Sequence, residues 1–282
     1  MKTISQAVNT YKSKTIKPVW CPGCGDYGVL AALDKTFKAL DYKPEDIAIV
    51  SGIGCSGRFS HYFNSYSLHG THGRALPIAT GLKTVRPDLH VVTIGGDGDG
   101  LSIGGGHIAH AARKNVDLTY IILDNNVYGM TKGQSSPTTP LGYHTKTAPY
   151  GVYEESLNPI AMFLAYNIGY IARTTSTDSK GMLSILTEAI QHKGFSMVYV
   201  MSPCVTFSVL PYAKLKEIVA PLPEDYDTSD KMSAFKYAYS DEHMYTGVFY
   251  KEEKSSLDER LKEVFNIAKI SKTTSEIMAE FK

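Results

Sequence analysis

GGDGDGLSIGGGHIAHAARKNVDLTYIILDNNVYGM, residues 95–130, decides the fold. An apolar run, HVVTIGG (90–96), ends in Gly-Asp-Gly, LSIGGGHIAHAARK (101–114) has helical spacing, and LTYIILDNN (118–126) is a second apolar run closing on Asp124-Asn125-Asn126. The order predicts strand, helix, strand. An adjacent parallel strand brings Asn125 beside Asp97. Magnesium takes six oxygens in a near-octahedral array, with few carboxylates and some from phosphate. Asp97 is placed to face such an ion, Asn125 to join it, and the carbonyl of Val127 to be the third protein oxygen. The backbone N–H groups of Gly98 and Asp99 can meet phosphate oxygens near a helix start. A glycine-rich turn alone is common and can be a plain strand–helix turn; the whole pattern in this context is more specific.

Working outward, residues 27–40 and 73–85 read as helices and 47–50 as a buried strand ending in SGIGCSG. The second half repeats the rhythm: a helix over 158–169 with Asn158 as cap and Pro159 in the first turn, a short strand YIART, a helix SKGMLSILTEAIQHKG, and a strand over 196–204. Strands alternating with helices predict an α/β fold, a mainly parallel sheet with helices on both faces. Ligands of such sheets sit at the carboxyl ends of the strands, where Cys55, Asp97, Asn125 and Cys204 all fall. Residues 131–158 form a long Pro/Gly/Thr-rich loop, a length that is often functional. After Cys204 the alternation stops. Residues 207–250, rich in Tyr and Pro, read as an irregular C-terminal arm on this domain or a partner, followed by short helices over 256–269 and 273–282. The expected division is 1–206 as the main domain and 207–282 as the arm.

A net charge of +1, 43% hydrophobic and 20% charged residues describe an ordinary globular chain and give no sign of nucleic acid or an anionic membrane. No apolar run reaches the ~20 residues of a membrane span, and the first residues lack an apolar signal core, so a cytoplasmic location is expected. The four cysteines are Cys21, Cys24, Cys55 and Cys204. In the cytosol a C-x-x-C pair points to metal or redox work. Four thiolates complete one zinc site or one 4Fe–4S cluster, whereas Cys55 and Cys204 could simply be buried thiols.

The Gly-Asp-Gly to Asn-Asn pattern resembles the cofactor motif of thiamine diphosphate enzymes. Taken in order, CPGCG, GIGCSGR, HGRALPIATG, GGDGDG, NNVYGMTKGQSSPT and SPC closely resemble the β subunit of two-subunit 2-oxoacid:ferredoxin oxidoreductases, from about residue 18 to 206. The resemblance implies a thiamine diphosphate-binding domain with one 4Fe–4S cluster on Cys21, Cys24, Cys55 and Cys204. It implies magnesium on Asp97, Asn125 and the Val127 backbone. The cofactor would lie against Ile53, Gly54, Cys55, Ser56, His72, Gly98, Asp99, Gly129 and Met130. His72 could instead cap the helix near Gly73, and His69 is close enough to be confused with it. His107 and His110 read as surface residues. Arg58 could grip a distal substrate carboxylate or pair with a partner-chain acid.

The implied reaction is oxidative decarboxylation of 2-oxoglutarate, with electrons passing through the cluster to ferredoxin and coenzyme A taking the acyl group; the reverse is possible with a strong reductant. Pyruvate or a broad range of 2-oxoacids is the alternative substrate. The glutamate that thiamine enzymes use on the aminopyrimidine is implied to come from an α subunit, in a dimer of αβ heterodimers, so the chain alone is expected to be inactive. A thiamine decarboxylase without a cluster, and a zinc-stabilised, non-catalytic assembly subunit, are the competing readings.

Overall fold

The computed structural model describes residues 10–268 and 272–281. In chain order the first half forms α1 (Asp26–Leu40), β1 (Ile47–Ser51), β2 (Tyr66–His69), α2 (Ala75–Val85), β3 (His90–Gly96), α3 (Gly105–Lys114) and β4 (Leu118–Asp124). A short hairpin, β5 (Val127–Tyr128) with β6 (Gln134–Ser135), precedes α4 (Pro159–Ala165), β7 (Tyr170–Thr175), α5 (Ser179–Gln191) and β8 (Phe195–Met201). The C-terminal part adds α6 (Tyr212–Ile218), β9 (Val219–Pro221), α7 (Lys231–Ala238), β10 (Met244–Lys251), α8 (Leu257–Ala268) and α9 (Thr274–Ala279).

Eight strands make one sheet in the order β2-β1-β3-β4-β8-β7-β10-β9. From β2 to β7 every pairing is parallel. Strand residues alternate between faces: Ile121 and Leu123 of β4 pack with α1 and α5, and Tyr120 and Ile122 with α2, α3, α4 and α7. Both faces are therefore covered, and the parallel strands read as unbroken apolar runs because both of their sides are buried. Asn158 caps α4 by accepting from Ala161 N, and Asp178 caps α5 in the same way from Gly181 N. Among the described residues no helix is long and apolar enough to cross a membrane.

The C-terminal arm is more regular than its sequence suggests. Strand β10 pairs antiparallel with β7, and β9 lies parallel beside β10. A bulge between Val248 and Tyr250 breaks the alternation of β10, so MYTGVFYK shows no clean period although Phe249 is fully buried. Strand β2 also lacked a sequence signal, because its four residues are exposed at the sheet edge. The helix anticipated from residue 101 starts at Gly105, after a π-helical turn over Gly98–Ile103 in which Gly104 N–H reaches back to Asp99 O at 3.1 Å.

Candidate active site

Strands β3 and β4 are neighbours, and their carboxyl ends bring two carboxylates, Asp97 and Asp124, into the same buried space. Thr138 Oγ1 lies 3.1 Å from Asp97 Oδ2 and 2.8 Å from Asp124 Oδ1, so its single proton is shared between them. Asp124 also accepts from Asn126 N at 2.7 Å, from Asn126 Nδ2 at 3.1 Å, and from the Tyr199 hydroxyl. Asn126 reaches this position through a left-handed backbone, φ 60°, which asparagine tolerates. Burial, and then the charge of Asp124, pushes Asp97 well above the usual carboxylate range, and burial raises Asp124 too. Among the described residues neither carboxylate has a lysine or arginine partner. Two buried carboxylates this close need a shared proton or a cation. Asn125 and Val127 line the same cleft as Asp97, and an Asn amide oxygen and a backbone carbonyl with that carboxylate would make an all-oxygen donor set of the kind magnesium takes. Asn125 Oδ1 accepts from Val127 N at 3.1 Å, which fixes the turn between them.

Asp99 holds the opposite wall. Its Oδ1 accepts from Ile53 N at 2.9 Å, Gly73 N at 2.8 Å and His72 Nδ1 at 2.9 Å. The carboxylate therefore ties the 53–56 loop and the His72 turn to the end of β3, and its side chain faces inward. The bond places a proton on His72 Nδ1 and leaves Nε2 as the basic nitrogen. Gly52 is needed here, since a Cβ would stand 1.9 Å from Asp99 Oδ2. Gly98 is needed as well, because a Cβ would meet the Tyr128 ring at 2.3 Å while the Tyr128 hydroxyl donates to Gly98 O at 3.1 Å.

The cysteines arrive on three loops. CPGCG turns tightly, with Cys24 N–H on Cys21 O at 3.0 Å. Cys21 is exposed, Cys24, Cys55 and Cys204 are half-buried, and all four are free thiols. Burial first, then Asp26, Cys55 and Cys204, raise the Cys24 thiol; burial, Asp26, Cys204 and Cys21 push Cys55 up to about 11. Among the described residues no three or more cysteine, histidine or carboxylate side chains are gathered as a metal site; a metal centre on these thiols would have to draw them together and deprotonate them. The Thr206 hydroxyl donates to Cys21 Sγ at 3.2 Å. Trp20 braces the loops: its Nε1 donates to Cys55 O at 2.8 Å, and its ring packs on Tyr27, Phe59 and Tyr62. Behind them lies Asp26, buried, bonded to the Ser202 hydroxyl at 2.8 Å, and raised to about 6 by burial.

Two of the thiols and Asn125 meet at Gly129. A Cβ there would lie 3.7 Å from Cys55 Sγ, 3.8 Å from Asn125 Nδ2 and 3.9 Å from Cys204 Sγ. One cleft is lined by Ile53, Gly54, Cys55, Ser56, His72, Asp97, Gly98, Asp99, Asn125, Val127, Gly129 and Met130. His69 is on edge strand β2 and does not line it. Arg58 does not line it either. It follows Cys55 on a 3-10 turn, its charge acts on His69, and its buried Nε has no partner. Sequence reasoning did not assign roles to Asp124, Thr138, Tyr199, Tyr128 and Asp26. Asp124 was visible as the first residue of Asp-Asn-Asn, and Thr138 lies within the long polar loop.

Residues 52–200 match the family described as thiamine pyrophosphate enzyme, C-terminal TPP binding domain, and residues 204–266 match the C-terminal family of the pyruvate ferredoxin oxidoreductase beta subunit. The 2-oxoglutarate synthase subunit KorB of Archaeoglobus fulgidus is 38% identical over 253 residues, 90% of this chain and 92% of that protein. The 2-oxoacid:ferredoxin oxidoreductase subunit beta of Saccharolobus solfataricus is 44% identical over 67% of this chain and 63% of its own length. For the 2-oxoglutarate oxidoreductase subunit KorB of Mycobacterium tuberculosis the figures are 42%, 67% and 51%, so the match spans only about half to two thirds of these last two relatives. The solved 2-oxoglutarate:ferredoxin oxidoreductase from Magnetococcus marinus, with 2-oxoglutarate, coenzyme A and succinyl-CoA bound, superposes with a TM-score of 0.92 at 39% identity, covering 96% of this chain and 94% of that one. Residue pattern, sheet topology and these likenesses agree: the chain belongs to the β subunits of the 2-oxoacid:ferredoxin oxidoreductases.

Proposed function

We propose that the chain is the β subunit of a 2-oxoglutarate:ferredoxin oxidoreductase, which converts 2-oxoglutarate and coenzyme A to succinyl-CoA, CO2 and reduced ferredoxin, and can run in reverse. The observation that carries this reading is one cleft lined by Asp97, Asp99, Asn125, His72 and Cys55, with Cys55 and Cys204 both close to Gly129 on its wall. Asp97, Asn125 and the Val127 carbonyl would hold magnesium. The backbone of Gly98 and Asp99 would take the diphosphate, and Ile53, Gly54, Ser56, His72, Gly129 and Met130 would flank the rest of thiamine diphosphate. Cys21, Cys24, Cys55 and Cys204 would ligate the 4Fe–4S cluster. When bound, thiamine diphosphate supplies the group that stabilises charge at the decarboxylated carbon, and the cluster takes electrons one at a time.

The chain's own residues do the positioning. Thr138 and Tyr199 keep Asp124 hydrogen-bonded, so Asp97 is the carboxylate left to face the ion. Asp99 fixes the tautomer of His72 and the loop carrying Cys55. Trp20, packed on Tyr27, Phe59 and Tyr62, holds the loop that carries Cys55 through its backbone carbonyl. Arg58 lies outside the cleft, so the choice of 2-oxoglutarate over pyruvate rests on the likeness to the 2-oxoglutarate synthase subunits and to the solved 2-oxoglutarate:ferredoxin oxidoreductase. The loop tip and the C-terminal helices expose Tyr150, Tyr153, Phe265 and Ile267, as suits a chain that packs against an α subunit in a dimer of αβ heterodimers in the cytoplasm. In this reading residues 1–206 carry both centres, and 207–282 complete the sheet and the contact with α. The test is reconstitution: the chain alone should not turn over, and adding α should restore succinyl-CoA formation. Full activity from the chain alone contradicts the two-subunit reading. A preference for pyruvate over 2-oxoglutarate contradicts the substrate assignment.

A further inference from the structure

Strand β7, YIARTT, is buried along its whole length, yet its fourth residue is an arginine. Arg173 stands in register between Tyr199 of β8 and Gly247 of β10 and is only 6% exposed. Its Nε donates to Tyr245 O at 2.5 Å, and its guanidinium carbon lies 5.0 Å from the centre of the Phe249 ring. Among the described residues neither Nη makes a hydrogen bond, and no carboxylate pairs with the group. Burial lowers Arg173 to about 10, with only the Tyr199 phenol acting against it, so it stays charged at neutral pH. A buried cation without a counterion is costly to keep.

Arg173 lines a cavity of about 540 Å³ on which it is the one lysine or arginine. Other side-chain donors on the walls are committed. The Tyr199 hydroxyl donates to Asp124, Asn126 Nδ2 to Asp124 and to Thr138 O, Asn158 Nδ2 to Ala238 O at 2.7 Å, and Ser156 Oγ to Thr139 O at 2.8 Å. The Nη groups are thus free charged donors in a space otherwise walled by Leu157, Met201, Leu210 and Ile218. Asp124 on the inner wall and the exposed Asp241 and Glu242 on the outer one oppose any ligand with more than one negative charge.

We propose that this cavity is a second ligand site, distinct from the cleft at Asp97, and that it takes a small organic monocarboxylate. The carboxylate would sit on the Nη fork of Arg173, which is shaped to grip it with two parallel bonds. The apolar body would lie against Leu157, Leu210 and Ile218. An apolar pocket with one placed charged group is the usual form of a small-molecule site. The site stands on Arg173 and its cavity alone and does not depend on which reaction the cleft performs.

The test is titration calorimetry at fixed ionic strength on the full chain, alone and with its α subunit, using butyrate as the probe. Butyramide, which has the same shape without the charge, and inorganic phosphate are the comparisons. Butyrate should bind with a Kd of about 1 mM or tighter, and both comparisons at least about tenfold more weakly. Arg173→Lys keeps the charge but loses the fork, and should weaken butyrate about tenfold. Ser240→Phe, on another wall of the cavity, should abolish binding with Arg173 intact, which separates blocked space from any effect of Arg173 on folding. His72→Gln, in the other cleft, should leave butyrate binding unchanged. No butyrate binding to the unsubstituted chain overturns the proposal. So does binding that survives both Arg173→Lys and Ser240→Phe, or an equal loss in His72→Gln, since butyrate would then sit elsewhere. Phosphate binding as tight as butyrate overturns the monocarboxylate class, and binding that disappears when α is added makes the cavity part of the subunit contact instead.

Discussion

The carboxylate end and the thiol end of the cleft are built on opposite principles. Asp97 and Asp124 are buried on adjacent strands, and Thr138, Asn126 and Tyr199 supply donors before any ion arrives. The thiols sit on loops, one of them exposed, with a single hydroxyl, Thr206, donating to a sulfur. The first end is preorganised by strands and lacks only a countercharge. In the second, burial and then Asp26 raise the Cys24 and Cys55 thiols, so a metal centre would have to complete it. The difference teaches that the two cofactors should be separable by mutation although only Gly129 lies between them.

The largest effect is expected from Asp97→Ala. It should lower magnesium-dependent thiamine diphosphate binding at least about 100-fold, since even supporting groups around metals cost 10–100-fold, while iron content is kept. Cys55→Ser should do the reverse, with iron lost and thiamine diphosphate affinity reduced only a few-fold; calorimetry and iron analysis on both variants decide it. Loss of both cofactors in either variant would break the comparison. Thr138→Val removes the shared proton donor without removing a ligand, and should weaken magnesium binding about tenfold.

A smaller effect is expected with pH. Burial raises Asp26 from 3.8 to about 6 in the folded chain. A raised carboxyl favours the protonated folded state, so its contribution is full below about pH 4 and is lost as pH rises through 6. At 1.36 kcal/mol per unit this amounts to about 3 kcal/mol for the cofactor-free protein. Denaturant melts should show it, and Asp26→Asn should flatten the profile. The smallest effect belongs to Thr206→Val. Losing a donor to a sulfur that is more negative when the cluster is reduced should move the potential downward by up to about 40 mV, a hydrogen bond of about 1 kcal/mol.

Much of this was legible because burial on both faces leaves a strong trace. Strands β1, β3, β4, β7 and β8 are apolar runs, and the residues that follow β1, β3 and β4 share one cleft, with Cys204 after β8 close to Gly129 on its wall. The unread parts had physical reasons. Strand β2 is an exposed edge, and β10 is half-buried with a bulge, so neither carries a period. Asp124 and Thr138 are polar groups that matter through each other. Thr138 is 14 residues further along the chain, and no local pattern announces a hydroxyl that must reach back to two carboxylates. Arg58 shows the converse. Proximity in sequence to Cys55 suggested the cleft, but the 3-10 turn carries its side chain toward His69.

The most direct test of the central claim, that this chain holds both centres, is anaerobic purification of the chain with magnesium and thiamine diphosphate, followed by metal and sulfide analysis and EPR of the dithionite-reduced protein. The account predicts about four irons and four sulfides per chain with a reduced-cluster signal, alongside one bound thiamine diphosphate. About one zinc per chain and no signal would contradict it and leave the cysteines as a structural site.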